Sequence, residues 1–205
     1  MRKKIFCLAL VALGAPLFVS WTAAPIGVEV RVVDERGVPI RDAVVELGPD
    51  GGWNGGAILF PWRAAMAQKN IAFAPGTLVV AKGASVAFPN LDKVRHSVYS
   101  FSKAARFEID LYGRDQTRSQ NFPLPGTVAL GCNIHDEMRG YIRVVDTPYA
   151  GKTDPNGTIK LATVPAGSYQ MTVWHPRART PGGEFRRSFR VSAGQAVQTI
   201  TLSLR

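Results

Sequence analysis

The segment GCNIHDEMRG, residues 131–140, places Cys132, His135 and Met138 at intervals of three residues. A thiol, an imidazole and a thioether are soft to borderline metal donors, and here they crowd into one short stretch. The rest of the chain is poor in all of them: its 205 residues hold two cysteines, three histidines and four methionines. Such a set selects copper over magnesium, calcium or manganese. Other chemistry fits less well. Cys132 and His135 read poorly as a nucleophile and base, because no orienting Asn or Asp is evident beside them. Asp136 and Glu137 are adjacent, point different ways, and read as solvated carboxylates.

Two nitrogens, one thiolate and a weak axial thioether are the donors of a copper electron-transfer centre. The segment supplies three of these four. The second imidazole must be His96 or His175. His96 opens the alternating run HSVYSF after a Pro-Asn turn, 36 residues ahead of Cys132. It is the better placed. His175, in VWHPR, reads as an ordinary strand-end histidine, and Met66 and Met171 as core or linker methionines rather than a second copper site. With three histidines in all, the chain cannot build a second copper centre, which excludes a multicopper oxidase or nitrite reductase.

The elements that must position these groups are β-strands. Short β-rich runs separated by turn signals recur along the chain, which predicts an all-β sandwich or barrel. VEVRVVD (28–34), AVVEL (43–47), TLVVAKGASVAF (77–88), HSVYSF (96–101), FEIDLY (107–112), TVALGC (127–132) and YIRVVD (141–146) are the first of them. TIKLATV, SYQMTVWH, FRRSFRV and AVQTITLSL follow the strong turn signal Asp154-Pro-Asn-Gly157. Only WRAAMAQKN (62–70) has the composition of a short helix. Gly131 and Gly140 bracket the donor segment and are expected to permit a sharp backbone path there.

Two resemblances follow from these motifs. GASVAFPNLDKVRHSVYSF followed by PGTVALGCNIHDEM is similar to the cupredoxins. V-x-F-x-N-x-D…H-x-V carries the first histidine of that family and C-x-x-H-x-x-M the other ligands. The short spacing is that of amicyanin, and the span 70–148 resembles bacterial cupredoxins of the methylamine-utilisation type. The resemblance implies a Greek-key β-sandwich and one blue (type 1) copper site with ligands His96, Cys132, His135 and Met138. It further implies one-electron transport in the periplasm rather than catalysis, with a c-type cytochrome or a periplasmic dehydrogenase as redox partner. A copper carrier or sensor without redox turnover is the alternative. Ser97 stands where many cupredoxins have Asn, and a hydroxyl there should still link the two ligand segments.

The chain ends resemble a carboxypeptidase-regulatory-like, transthyretin-like β-sandwich. VRVVDERGVPIRDAVVEL (30–47) has the look of its opening hairpin, and TDPNGTIKLATVPAGSYQMTVWHP (153–176) of the remainder. About 100 residues separate the two pieces. The expected organisation is therefore a signal peptide (1–24), a discontinuous sandwich (26–48 plus 147–205), a linker (49–69) and an inserted cupredoxin domain (70–146).

MRKKIFCLALVALGAPLFVSWTAA has a basic start, an apolar run over 5–21 and small residues after it, the layout of a secretory signal peptide. Removing it takes three positive charges and no negative ones, so the formal charge falls from +10 to +7. Cys132 is then the one thiol left, and no internal disulfide is possible. Export argues against nucleic acid as a partner. Arg177, Arg179, Arg186, Arg187 and Arg190 against Glu184 make a basic stretch that suits an acidic redox partner or an anionic membrane surface.

Overall fold

The computed structural model describes residues 26–195 and 197–205, and the signal-peptide reading falls outside them. In chain order the first strands are β1 (Ile26–Val33), β2 (Val44–Pro49), β3 (Ala67–Gln68), β4 (Phe73–Ala74) and β5 (Thr77–Ala81). There follow β6 (Ala84–Pro89), β7 (His96–Ser102), β8 (Ala105–Tyr112), β9 (Thr117–Phe122), β10 (Gly126–Cys132) and β11 (His135–Val145). The last are β12 (Ala150–Lys152), β13 (Thr158–Val164), β14 (Gly167–Trp174), β15 (Glu184–Val191) and β16 (Gln198–Thr201).

Strands β1, β2 and β12 to β16 make two sheets, ordered β13-β1-β16 and β12-β2-β14-β15. The chain leaves them after β2 and returns at β12. Between lie a five-stranded sheet, β5-β11-β10-β7-β8, and the pairs β6-β9 and β3-β4. Each group closes over its own apolar core. Alternation in β1 turns Val28, Val30 and Val32 onto Val45, Leu47, Met171 and Val173. In the other core, Val86 and Phe88 of β6 and Phe122 of β9 face Val98, Val128 and Ile142 of the five-stranded sheet. Met66 and Met171 are both fully buried, one in each core, as read from the sequence.

TLVVAKGASVAF holds two strands, but they do not pair with each other. β5 runs parallel to β11, and β6 crosses to β9. Lys82-Gly83, with Gly83 at φ +84°, is thus the corner between two layers.

A smaller cluster, Val44, Val79, Val145, Ala150 and Trp174, joins the two groups of sheets. Beside it the Arg143 guanidinium of β11 bonds Glu46 of β2 and, at 2.6 Å, Glu184 of β15, with Thr127 Oγ1 at 2.9 Å. Although burial lowers it, the two carboxylates hold Arg143 above its ordinary pKa, and the guanidinium stays charged.

The expected helix over 62–70 is not there, and the described residues contain no α-helix. Instead Met66 N–H donates to Ala87 O and Ala87 N–H to Ala64 O, and β3 pairs with β4. Burying Met66 and Gln68 on alternate positions needs an extended chain, and tertiary contact overrides helix propensity. Pairing therefore begins at Ala65, inside the segment read as linker.

Candidate metal centre

The donor segment is a tight hairpin rather than an open loop. β10 runs to Cys132, the chain turns at Asn133-Ile134, and β11 starts at His135, which pairs directly with Cys132. Directly opposed residues put their side chains on one face within contact distance. The register then slips: Gly131 pairs with Arg139, leaving residues 136–138 as an irregularity on β11. Met138, in this slip, is 1% exposed and belongs to the same core cluster as Cys132. Asp136 and Glu137 are exposed, as expected of solvated carboxylates.

Gly131 and Gly140 serve a purpose other than the one expected. Neither has a positive φ. A Cβ on Gly131 would lie 2.5 Å from the Tyr99 ring, and one on Gly140 would lie 2.9 Å from Phe73. Close ring packing, not backbone freedom, requires them.

His96 begins β7 and is completely buried. Asn90, also buried, shapes the turn before it. Its Nδ2 donates to Val94 O at 2.9 Å and Tyr112 O at 3.0 Å, and its Oδ1 accepts from Asp92 N–H at 2.9 Å. His96 and Cys132 come from neighbouring strands of one sheet, 36 residues apart in sequence. His96 Nδ1 lies 3.8 Å from Cys132 Sγ, and His135 Nδ1 lies 3.7 Å from it. The ligand atoms of the three residues all lie within 4.8 Å of one another.

Ser97 Oγ accepts the Asn133 N–H at 2.9 Å and donates to Cys132 Sγ at 3.7 Å, so the expected tie between the two ligand segments is made. His96 Nε2 meets Asp92 Oδ2 at 2.8 Å. Burial raises the Asp92 pKa, but the Ile71 N–H, the His96 ring and the Asn70 N–H outweigh it, so the carboxyl sits below its ordinary value. Asn90 and Asp92 have no assigned role in the sequence reading. The one available signal was the carboxylate four residues ahead of a ligand histidine, because metal-bound imidazoles almost always donate their far N–H to such a group.

The donor set fits a metal ion. With bonds of about 2.3 Å to sulfur and about 2.1 Å to nitrogen at 120°, an S and an N donor lie about 3.8 Å apart. The two observed separations match, and they place three strong donors around one centre. His135 is half-buried while His96 and Cys132 are buried, so the centre reaches solvent at the His135 edge. Exposed Ile71, Leu91, Val94 and Ile134 lie on the segments that carry or brace the ligands.

His175 is not part of the cluster. It sits at the end of β14, where its Nδ1 accepts the Arg177 N–H at 3.3 Å. Burial, with help from Arg177, lowers its pKa against the pull of Asp42. The basic stretch is largely engaged: Arg177 and Arg179 bond the carbonyls of Arg205 and Leu204, Arg186 pairs with Glu184, and Arg187 bonds Gln198.

No protein-family model and no curated protein matches the chain. Solved structures do. A copper-containing nitrite reductase from Thermus scotoductus SA-01 is 25% identical over 45% of this chain and 24% of its own, at a TM-score of 0.40. A reduced amicyanin variant is 21% identical over 51% of this chain and 99% of its own, at 0.38. A purple cupredoxin from Nitrosopumilus maritimus is 18% identical over 40% of this chain and 100% of its own, at 0.37. The chain spans about a quarter of the reductase's length. The chain is nearly all β, and the His96, Cys132 and His135 geometry carries the functional reading.

Proposed function

We propose that the protein is an exported, periplasmic electron carrier holding one type 1 copper ion on His96, Cys132, His135 and Met138. The observation that carries this is one free, buried thiol flanked by two imidazole Nδ1 atoms at 3.7 and 3.8 Å. Bound there, copper supplies a one-electron couple with thiolate and imidazole donors that suit both oxidation states. The chain's own part is to hold the donors still. His96 and Cys132 sit on adjacent strands, His135 is fixed across the hairpin, and Ser97 ties the two ligand segments, so little needs to move when charge changes. Met138, buried in the same core, would add a weak thioether donor to the ion. The half-buried His135 edge, with exposed Ile134 next to it in the chain, offers a partner a short apolar approach. Strands β1, β2 and β12 to β16 suit a separate discontinuous sandwich of the carboxypeptidase-regulatory-like kind, and the partner we favour is an acidic redox protein.

The alternative reading is a copper carrier or sensor without redox turnover, favoured only by the burial of the site. Optical and paramagnetic spectra of the copper-loaded chain, followed by reductive titration, separate the two. An intense thiolate-to-copper absorption, bleached reversibly by one electron per copper and absent from Cys132→Ser, is expected. Copper held only as Cu(I), with no reversible bleaching, would favour the carrier.

A further inference from the structure

We propose that Asp92 is a positioning residue that fixes the tautomer and ring orientation of His96, and that the strained Asn70-Ile71 turn exists to hold Asp92. This rests on the copper reading above, but its first consequence is visible without metal. An ionised carboxylate only accepts hydrogen bonds, so His96 Nε2, at 2.8 Å from Asp92 Oδ2, carries the proton. In a neutral ring Nδ1 is then the bare acceptor, and Nδ1 is the atom facing Cys132 Sγ. Without Asp92 the ring has no reason to prefer that tautomer.

Asp92 is itself clamped. Oδ1 accepts the Asn70 N–H at 2.6 Å and Oδ2 the Ile71 N–H at 2.9 Å. Both donors lie in the turn between β3 and β4, where Lys69 and Ala72 exchange backbone bonds at 2.9 and 3.2 Å. Asn70 and Ile71 have φ of 57° and 55°. Left-handed backbone is disfavoured for an L-residue, and a β-branched residue there is an outlier. Such strain persists only where surrounding structure over-determines it. Here the strained conformation aims two successive N–H groups at one carboxylate, which in turn meets a fully buried imidazole. A turn needing only to reverse the chain would take Gly at the second position. The negative charge beside the ring also favours the more positive oxidation state of a bound metal, so Asp92 should hold the reduction potential down.

The test uses the full chain, with and without copper. In the metal-free protein, imidazole nitrogen NMR should show His96 as a single Nε2–H tautomer. In Asp92→Asn it should show a mixture, because an amide can present either an acceptor or a donor to the ring. Loaded with copper, Asp92→Asn should bind 10- to 100-fold more weakly, the usual loss when a ligand's hydrogen-bond partner is removed. Its preference for the oxidised metal should fall about tenfold, a rise of about 59 mV for one electron. Ile71→Gly should raise the apo melting temperature and leave tautomer and potential alone, since glycine adopts this φ freely. An Asp92→Asn protein with an unchanged tautomer and potential, and only a lower melting temperature, would make Asp92 a turn cap and overturn the proposal. If the wild-type chain took up no copper, the copper reading would fall and the tautomer comparison alone would decide the role of Asp92.

Discussion

The two apolar cores of this chain treat buried polar groups differently. In the region of β1, β2 and β12 to β16, two buried threonines that flank β12 spend their hydroxyls on the backbone. Thr147 Oγ1 donates to Leu47 O at 2.7 Å, and Thr153 Oγ1 donates to Ile40 O at 2.7 Å while accepting the Ala43 N–H. They join segments about 100 residues apart and leave no donor atom over. In the sheets made by β3 to β11, Asn90, His96 and Ser97 are buried, and their bonds converge through Asp92 and Asn133 on the Cys132 thiol. Most buried polar groups must be bonded to be tolerated. What those bonds are anchored to separates a scaffold from a site: the backbone in the first core, a free thiol in the second.

The sharpest way to break this comparison is at the junction. Arg143→Ala would leave the partly buried Glu46 without its cation while Glu184 keeps Arg186, and breaking such an ion cluster on one side costs up to about 3–5 kcal/mol. Denaturant unfolding should show that loss while the copper-thiolate spectrum stays as it was. A shifted spectrum would mean that strain at Arg143 runs along β11 to His135 and that the regions are not independent.

A smaller loss is expected inside the second region. Gly131→Ala must displace the Tyr99 ring, and overpacking of this kind costs about 1–3 kcal/mol. Because Gly131 precedes Cys132, this variant should also perturb the visible spectrum, which no substitution in the threonine-stitched core should do. Met138→Leu conserves volume and should cost less than about 1.5 kcal/mol. If Met138 is the axial donor, the variant should keep copper and its colour with a raised reduction potential, read by voltammetry. Outright loss of copper would make the thioether a primary anchor and favour the carrier reading.

The smallest effect concerns acid. Burial raises the Glu184 pKa, but Arg143 and Arg186 outweigh it and leave it below the usual 4.5. A depressed carboxyl stabilises the fold above its unfolded value and loses that contribution as pH falls through the folded one. The melting temperature of the apo protein should therefore exceed that of Glu184→Gln at pH 7, with the gap closing below about pH 4.5. A gap that widened toward acid would show that Glu184 is held protonated.

Much of this was written locally. The alternation of VEVRVV, FEIDLY and TIKLATV places β1, β8 and β13, since a period of two is enough to bury one face of a strand. The Asp154 turn forms as read: Asp154 Oδ1 accepts the Asn156 and Thr158 N–H groups at 2.9 Å, and Gly157 takes φ +71°. Donor types and spacing marked Cys132 and His135, and the order of the chain favoured His96 over His175. These inferences need only nearest neighbours.

What the tertiary structure decided depends on residues distant in sequence. WRAAMAQKN is extended because Ala87 and the core beneath Met66 reach it, which no propensity could register. The reasons for Gly131 and Gly140 are the rings of Tyr99 and Phe73, 32 and 67 residues away. The pairing of Cys132 with His135, and the slip that follows it, set which side chains share a face. Asp92 acquires its place from a turn 21 and 22 residues upstream. The sequence supplied the donors and the period of the strands. Folding alone brought them within 4.8 Å of one another, because sheet pairing converts sequence separation into a strand spacing of a few ångströms.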